Sequence, residues 1–230
     1  MSVDLEKTVE GWRETLCARI ELAALYARSP IAHKWKATYR SIVLRELVCW
    51  RVTDLLTQVA SLQQQGHVLG AVILVRSAIE TLAVLIYLNR KTDSVFIDPK
   101  QFFEFCDTTT RLMLGSKNKT TGHEAPNILT ILGQCEKSYP GFSDIYGYLS
   151  ESAHPNYDGV CSGFSSIDET NFVTEFSNRW LDKYSDRLTI AIDLCVKVFQ
   201  SEYNEVWPDR FSKLEKWLEE NDEWLEANKT

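Results

Sequence analysis

The chain of 230 residues predicts an all-α fold, a bundle of about seven helices, and three observations predict it. Apolar residues recur at intervals of three and four through nearly every long segment. Glycine, proline and helix-capping residues fall between those segments, and no strand-like alternation lasts more than a few residues. The stretch from Val68 to Leu88 is apolar on almost every side, the pattern of a helix at the centre of a bundle.

Taken in order, Ser2 or Asp4 caps a first helix reaching about Arg28, with Leu5, Val9, Trp12, Leu16, Ile20 and Ala23 on its apolar stripe. Ser29-Pro30 ends it, because proline disfavours helical geometry in its predecessor. A longer helix is expected from Ala32 to Gln65, with Tyr39, Val43, Leu47, Trp50, Asp54 and Val59 facing inward. Gln63 to Gly66 turns the chain into the central helix, and Thr92 to Asp98 reads as a connection. Asp98-Pro99 then starts a helix to Leu114.

Gly115 to Ala125 is polar and bounded by glycine, the composition of an exposed loop. A helix from Pro126 to Lys137 follows, then a turn at Tyr139-Pro140-Gly141 and a short helix ending near His154 before Pro155. Asn156 to Ser166 carries Gly159 and Gly163 without a helical period, as a loop over a pocket would. Asp168 to Val206 reads as helix, Trp207-Pro208 as a bend, and Pro208 to Ala227 as a closing amphipathic helix. The domain reading is a bundle over residues 1–206 with the helix of 207–230 docked on it or on a partner.

The hydrophobic fraction of 44% is ample for a core. A net charge of -7 opposes broad attraction to phosphates, so contact with nucleic acid needs a local basic patch. Six scattered cysteines with no C-x-x-C pair read as free thiols of a reducing compartment, and the first residues lack a secretory pattern. A cytoplasmic location is expected. Val68 to Leu88 is long enough to span a bilayer, but Arg76 near the midplane would cost at least ~2.5–3.5 kcal/mol, which argues against a membrane role.

The candidate site begins with Arg76 and Glu80, one helical turn apart within the most apolar segment. Charges there need a partner inside the fold. The segment Tyr146 to Pro155 offers one, with Tyr146, Ser150 and His154 at four-residue intervals and Asn156 just beyond as a further binding or orienting residue. Two readings stand side by side. Arg76 and Glu80 hold the bundle in register, or Arg76 holds an anion such as phosphate while Glu80 orients it.

Other chemistries are poorly served. Glu151-x-x-His154 is a single copy of a unit that carboxylate-bridged metal bundles need twice, and no Cys/His cluster replaces it, so no metal or other cofactor is expected. Ser150 and His154 could touch as nucleophile and base, but a regular helix supplies no strained elbow or oxyanion donors. Lys36, Arg40, Lys117 and Lys119 belong to two basic groups that together could form a phosphate-attracting rim.

Leu-Val-Arg76-Ser-Ala-Ile-Glu80, followed by Tyr146-x-x-Leu-Ser150-x-x-x-His154-Pro155, resembles an uncharacterised prokaryotic family of all-helical proteins related to the HEPN superfamily. The resemblance covers about a quarter of the chain. It implies a metal-independent ribonuclease of a toxin or antiviral system, acting on RNA as a homodimer, with His154 catalytic and Arg76 binding phosphate. The superfamily's Arg-x4–6-His motif is itself absent, since residues 147 to 149 are Gly, Tyr and Leu. The alternative is a non-catalytic helical module that binds a small ligand, a nucleotide or a protein partner, the last through its closing helix.

Overall fold

The computed structural model describes residues 3–229, and within them helix predominates over a single two-stranded sheet. Asp4 caps α1 (Leu5–Glu14), its carboxylate accepting from the Lys7 amide. The expected single helix to Arg28 is interrupted. Thr15 turns its hydroxyl onto the Trp12 carbonyl, and the Trp50 indole donates to the Cys17 carbonyl at 2.9 Å. A side chain thus takes the backbone acceptor that helix continuation would have used. The chain resumes as α2 (Leu22–Arg28) and, capped by the Ser29 hydroxyl, as the single turn α3 (Pro30–His33).

Helix α4 (Lys36–Gln64) is turned differently from the expected register. Val59 is buried, whereas Leu47, Trp50 and Asp54 are exposed; Leu44, Val48, Val52, Leu55 and Leu56 form the inner stripe instead. Leu47 and Trp50 line a shallow hollow beside Cys17, Ala18 and Ile20, so the irregular segment after α1 claims that side of the helix.

Helix α5 (Val68–Ile97) runs through the predicted connection at Thr92–Asp98. Thr92 and Ser94 return their hydroxyls to the Leu88 and Arg90 carbonyls, and Val95 is fully buried. Polar composition there reflects hydroxyls satisfied within the helix, not a loop. Asp98 accepts from the Lys100 amide in the turn before α6 (Gln101–Leu114), whose N-cap is Lys100 and not the expected Asp98, and residues 115–127 beyond it are irregular. Helix α7 (Ile128–Cys135) and α8 (Phe142–Ala153) follow.

Past α8 the sequence expectation fails over twenty residues. Tyr157–Ser162 is a π-helical turn, and β1 (Ser165–Asp168) pairs antiparallel with β2 (Val173–Phe176), Ser165 opposite Phe176 and Asp168 opposite Val173. Four-residue strands are too short for alternation to register in the sequence. The Asp168 carboxylate makes the turn by accepting the Thr170 and Asn171 amides. Helix α9 (Trp180–Ser201), a second π-helical turn at Glu202–Val206 and α10 (Trp207–Ala227) complete the described chain.

Contacts divide the molecule into two units made of interleaved segments. The first holds the chain up to Thr15, Arg51–Leu82 and Cys135–Val198; the second holds Leu16–Trp50, Ala83–Gln134 and the chain from Phe199. Val52, Leu56, Val75, Ile79, Phe142, Leu149, Trp180 and Leu188 are buried members of the first. In the second, Phe102 meets Trp35 edge-on at 5.2 Å and Trp217 at 6.0 Å. Helix α10 belongs to that unit, with Phe211, Leu214, Leu218 and Leu225 buried, the His33 imidazole 2.7 Å from Glu215, and Lys34 paired with Asp222.

Candidate functional site

The site lies in the first unit and depends on how α8 is started. Gly141 turns the chain at φ +88°, a conformation that other residues rarely adopt, and the Glu136 carboxylate accepts the Gly141 amide at 2.7 Å and the Ser143 amide at 2.8 Å. A side chain from before the turn therefore does the work of an N-cap. The Ser143 and Gly141 amides hold the Glu136 carboxyl below its usual range. So anchored, α8 presents Tyr146, buried along its ring, to the face of α5 that carries Arg76 and Glu80.

Three side chains close a ring of polar contacts. The Tyr146 hydroxyl donates to Glu80 Oε1 at 2.9 Å and accepts from Arg76 Nη2 at 3.2 Å, while Arg76 Nη2 and Glu80 Oε1 are 3.3 Å apart. The guanidinium also lies 5.4 Å from the Tyr146 ring centre. Arg76 and Glu80 keep 28% and 30% of their side chains exposed, so the pair meets water on one side. Arg76 Nε is buried without a hydrogen-bond partner.

The later members of the four-residue series leave this ring. His154 is the C-cap of α8, with ψ at 150°, because Pro155 excludes helical geometry from it. It stands eight residues beyond Tyr146, roughly 12 Å along the helix, and is exposed. Among the described residues no hydrogen bond or ion pair joins the His154 side chain to Arg76, Glu80 or Tyr146. Ser150 is half-buried between them. Asn156 is spent on local structure: its side-chain oxygen accepts the Gly159 amide at 3.0 Å and its amide donates to Glu151. The π-helical turn folds back so closely that a Cβ on Gly159 would lie 2.0 Å from the His154 carbonyl oxygen.

A second polar cluster in the same unit escaped sequence reasoning. Asp158 accepts from the Ser152 hydroxyl at 2.6 Å and from the Tyr184 hydroxyl at 2.7 Å, Lys183 donates to Ser162, and the Arg187 guanidinium lies 4.4 Å from the Tyr148 ring centre. Burial and the neighbouring Asp158 raise the Tyr184 phenol, against the pull of Ser162. The π-helical turn, which has no distinctive sequence pattern, is what brings Asp158 back to Ser152.

The basic residues expected to form a rim fall in the second unit, in two separate places. Lys36 and Arg40 sit on the first turns of α4. Burial pushes the Cys106 thiol up to about 11, against the opposing charges of Arg40 and Lys229. Lys117 and Lys119 line an open hollow of about 600 Å³ with Ser116, Thr121, His123 and Asn127, and neither Lys36 nor Arg40 lines it.

Among the described residues no group of three His, Cys, Asp or Glu side chains is placed to hold a metal ion, and no disulfide joins the cysteines. Helix α5 is the one described helix long and apolar enough to cross a membrane, and just over half of its most apolar window is buried inside the protein. No protein-family model matches the chain, and neither a curated protein nor a solved structure matches it.

Proposed function

We propose that the chain is a non-catalytic helical module that binds a protein segment or a small polar ligand at the Arg76–Glu80–Tyr146 cluster. The observation that carries this reading is the shared use of Arg76 by Glu80 and the Tyr146 hydroxyl, at 3.3 and 3.2 Å, with both charged side chains partly open to water. A guanidinium and a carboxylate side by side offer donors and an acceptor together, which complements an amide group. A bare phosphate would have to compete with Glu80 for the same guanidinium. Cysteines that form no disulfide suit a reducing compartment, and the cytoplasm is the proposed location.

The second reading is the HEPN-like one: metal-independent cleavage of RNA by a homodimer, with His154 taking the proton from a ribose 2'-hydroxyl and Arg76 stabilising the charged phosphate. The exposed His154 imidazole, on the helix that carries Tyr146, favours keeping it.

One experiment separates the two. Purified protein, His154→Ala and Arg76→Ala are incubated with RNA in chelator. The binding-module reading expects no cleavage above background in any of the three. Cleavage by the wild type that both variants lose would overturn it in favour of the nuclease. A companion melting assay with nucleotides and short peptides should show a ligand-dependent rise that Arg76→Gln abolishes.

A further inference from the structure

Helices α5 and α7 border a hollow of about 310 Å³ whose residues all belong to the second unit, whereas the Arg76 cluster belongs to the first. Tyr87, Arg90, Lys91 and Ser94 line it from α5, and Thr130 and Gln134 from α7. Helical periodicity gathers both sets. Positions three and four apart fall on one stripe of α5, and positions four apart on one stripe of α7.

Every side chain of this lining carries a hydrogen-bonding group and none is a carboxylate, in a chain with 32 Asp and Glu against 25 Lys and Arg. Nearby acids are turned elsewhere. Glu104 pairs with Lys91 but is half exposed and outside the lining, and Asp93 holds Arg210 at 2.6 Å. Lys91 keeps only 21% of its side chain exposed, with its ammonium 5.6 Å from the Tyr87 ring centre. Burial pulls that ammonium down, but Glu104 and Tyr87 outweigh it and raise the group above its ordinary value, so the positive charge is kept. Among the described residues no hydrogen bond occupies the Thr130 hydroxyl or the Gln134 side-chain amide.

We infer that this hollow binds a small phosphate monoester. The Arg90 guanidinium offers its planar fork to two phosphate oxygens, and Lys91 adds a point charge. Arg90 is also held within the chain, and five N–H donors serve both purposes. Tyr87, Thr130 and Gln134 supply neutral donors. The Ser94 hydroxyl donates to the Arg90 carbonyl, which leaves its lone pairs to accept from a hydroxyl of the organic group. Charge selects the monoester: it carries about −1.5 to −2 at pH 7, a match for two cations, whereas each phosphate of a nucleic acid carries one charge. A long polyanion would also meet the net charge of -7. The volume lies at the low end of the ~300–1,000 Å³ of small-molecule sites, room for a phosphate with a short carbon chain attached.

The test is calorimetric titration of the full chain with glycerol 3-phosphate, inorganic phosphate and succinate at one ionic strength. Glycerol 3-phosphate should bind more tightly than inorganic phosphate, and roughly tenfold or more above succinate, whose carboxylates offer fewer oxygens to the fork. Arg90→Gln should weaken the ester by roughly tenfold or more, the loss of a charge-assisted pair. Thr130→Val should weaken it about 3-fold to 10-fold, one neutral hydrogen bond. Thr130 is exposed, so that variant decides the matter should Arg90→Gln misfold. No binding of glycerol 3-phosphate up to about 10 mM, an equal affinity for succinate or bare phosphate, or binding that Thr130→Val and a folded Arg90→Gln leave unchanged would each overturn the inference.

Discussion

The Tyr146 hydroxyl lies 2.9 Å from the Glu80 carboxylate, across 66 residues of sequence, and it hydrogen-bonds to both members of the Arg76–Glu80 pair. A charged pair one turn apart on a helix, in the order Arg before Glu, has little stability of its own. The phenol supplies what the pair lacks, a donor for the carboxylate and an acceptor for the guanidinium, from a position shielded by its own ring.

Tyr146→Phe should therefore lower unfolding stability by about 1–2 kcal/mol, since it removes two hydrogen bonds at a partly buried site. Urea unfolding measures it. In a double-mutant cycle with Glu80→Gln, a coupling on the order of 0.5–1 kcal/mol is expected; strict additivity would mean that the ring of contacts carries no energy.

Glu215→Ala should cost more, about 2–3 kcal/mol, because it strips the almost fully buried His33 of its carboxylate at 2.7 Å while Arg28 loses the same partner. Glu215→Gln, which keeps a hydrogen-bond acceptor, should recover part of the loss in the same urea series.

Gly159→Ala is expected to dislodge the π-helical turn. Its Cβ would sit 2.0 Å from the His154 carbonyl oxygen and 2.8 Å from that of Ser152, both backbone atoms that cannot swing away. A destabilisation of about 2–3 kcal/mol should be visible in the melting temperature. Gly133→Ala, with open space at its Cβ, is the control and should melt no lower than the wild type.

The Glu136 carboxyl has a folded pKa below its unfolded value, so its contribution to stability is present above the unfolded pKa and is lost as pH falls through the lower, folded one. Stability should accordingly drop on acidification below about pH 4.5, and Glu136→Gln should flatten that limb of the curve. An NMR titration placing the Glu136 carboxyl at or above its ordinary value would contradict this.

Thiol reagents should modify Cys161 first, as it is the exposed cysteine, and leave Cys49, Cys135 and Cys195 untouched until unfolding. Cys106, pushed from 9.0 up to about 11, should carry roughly 100-fold less thiolate near neutrality than an ordinary cysteine, and its alkylation should keep accelerating to about pH 11. Mass spectrometry of timed quenches resolves the order.

Helical periodicity and capping chemistry were enough to place most helices. Asp4 starts the element it predicts, and Pro155 ends α8 where it should. These are local effects, decided by a few neighbouring residues. The sequence also singled out Arg76, Glu80 and Tyr146 as members of one site, because charges within an apolar helix oblige a polar answer elsewhere in the chain.

Tertiary structure decided the remainder. Whether α1 continues past Thr15 depends on an indole 33 residues after Cys17, and whether Thr92 to Ile97 is helix depends on the burial of Val95. The hairpin and the π-helical turn arise from hydrogen bonds to Asp168, Asn156 and Asp158 that no periodicity announces. His154 shows the limit most plainly: spacing put it in line with Tyr146, but the residue after it forces an extended backbone, and the imidazole leaves the line. Local sequence sets which conformations a segment can adopt, and long-range contacts choose among them, because only they offset the entropy of ordering the chain.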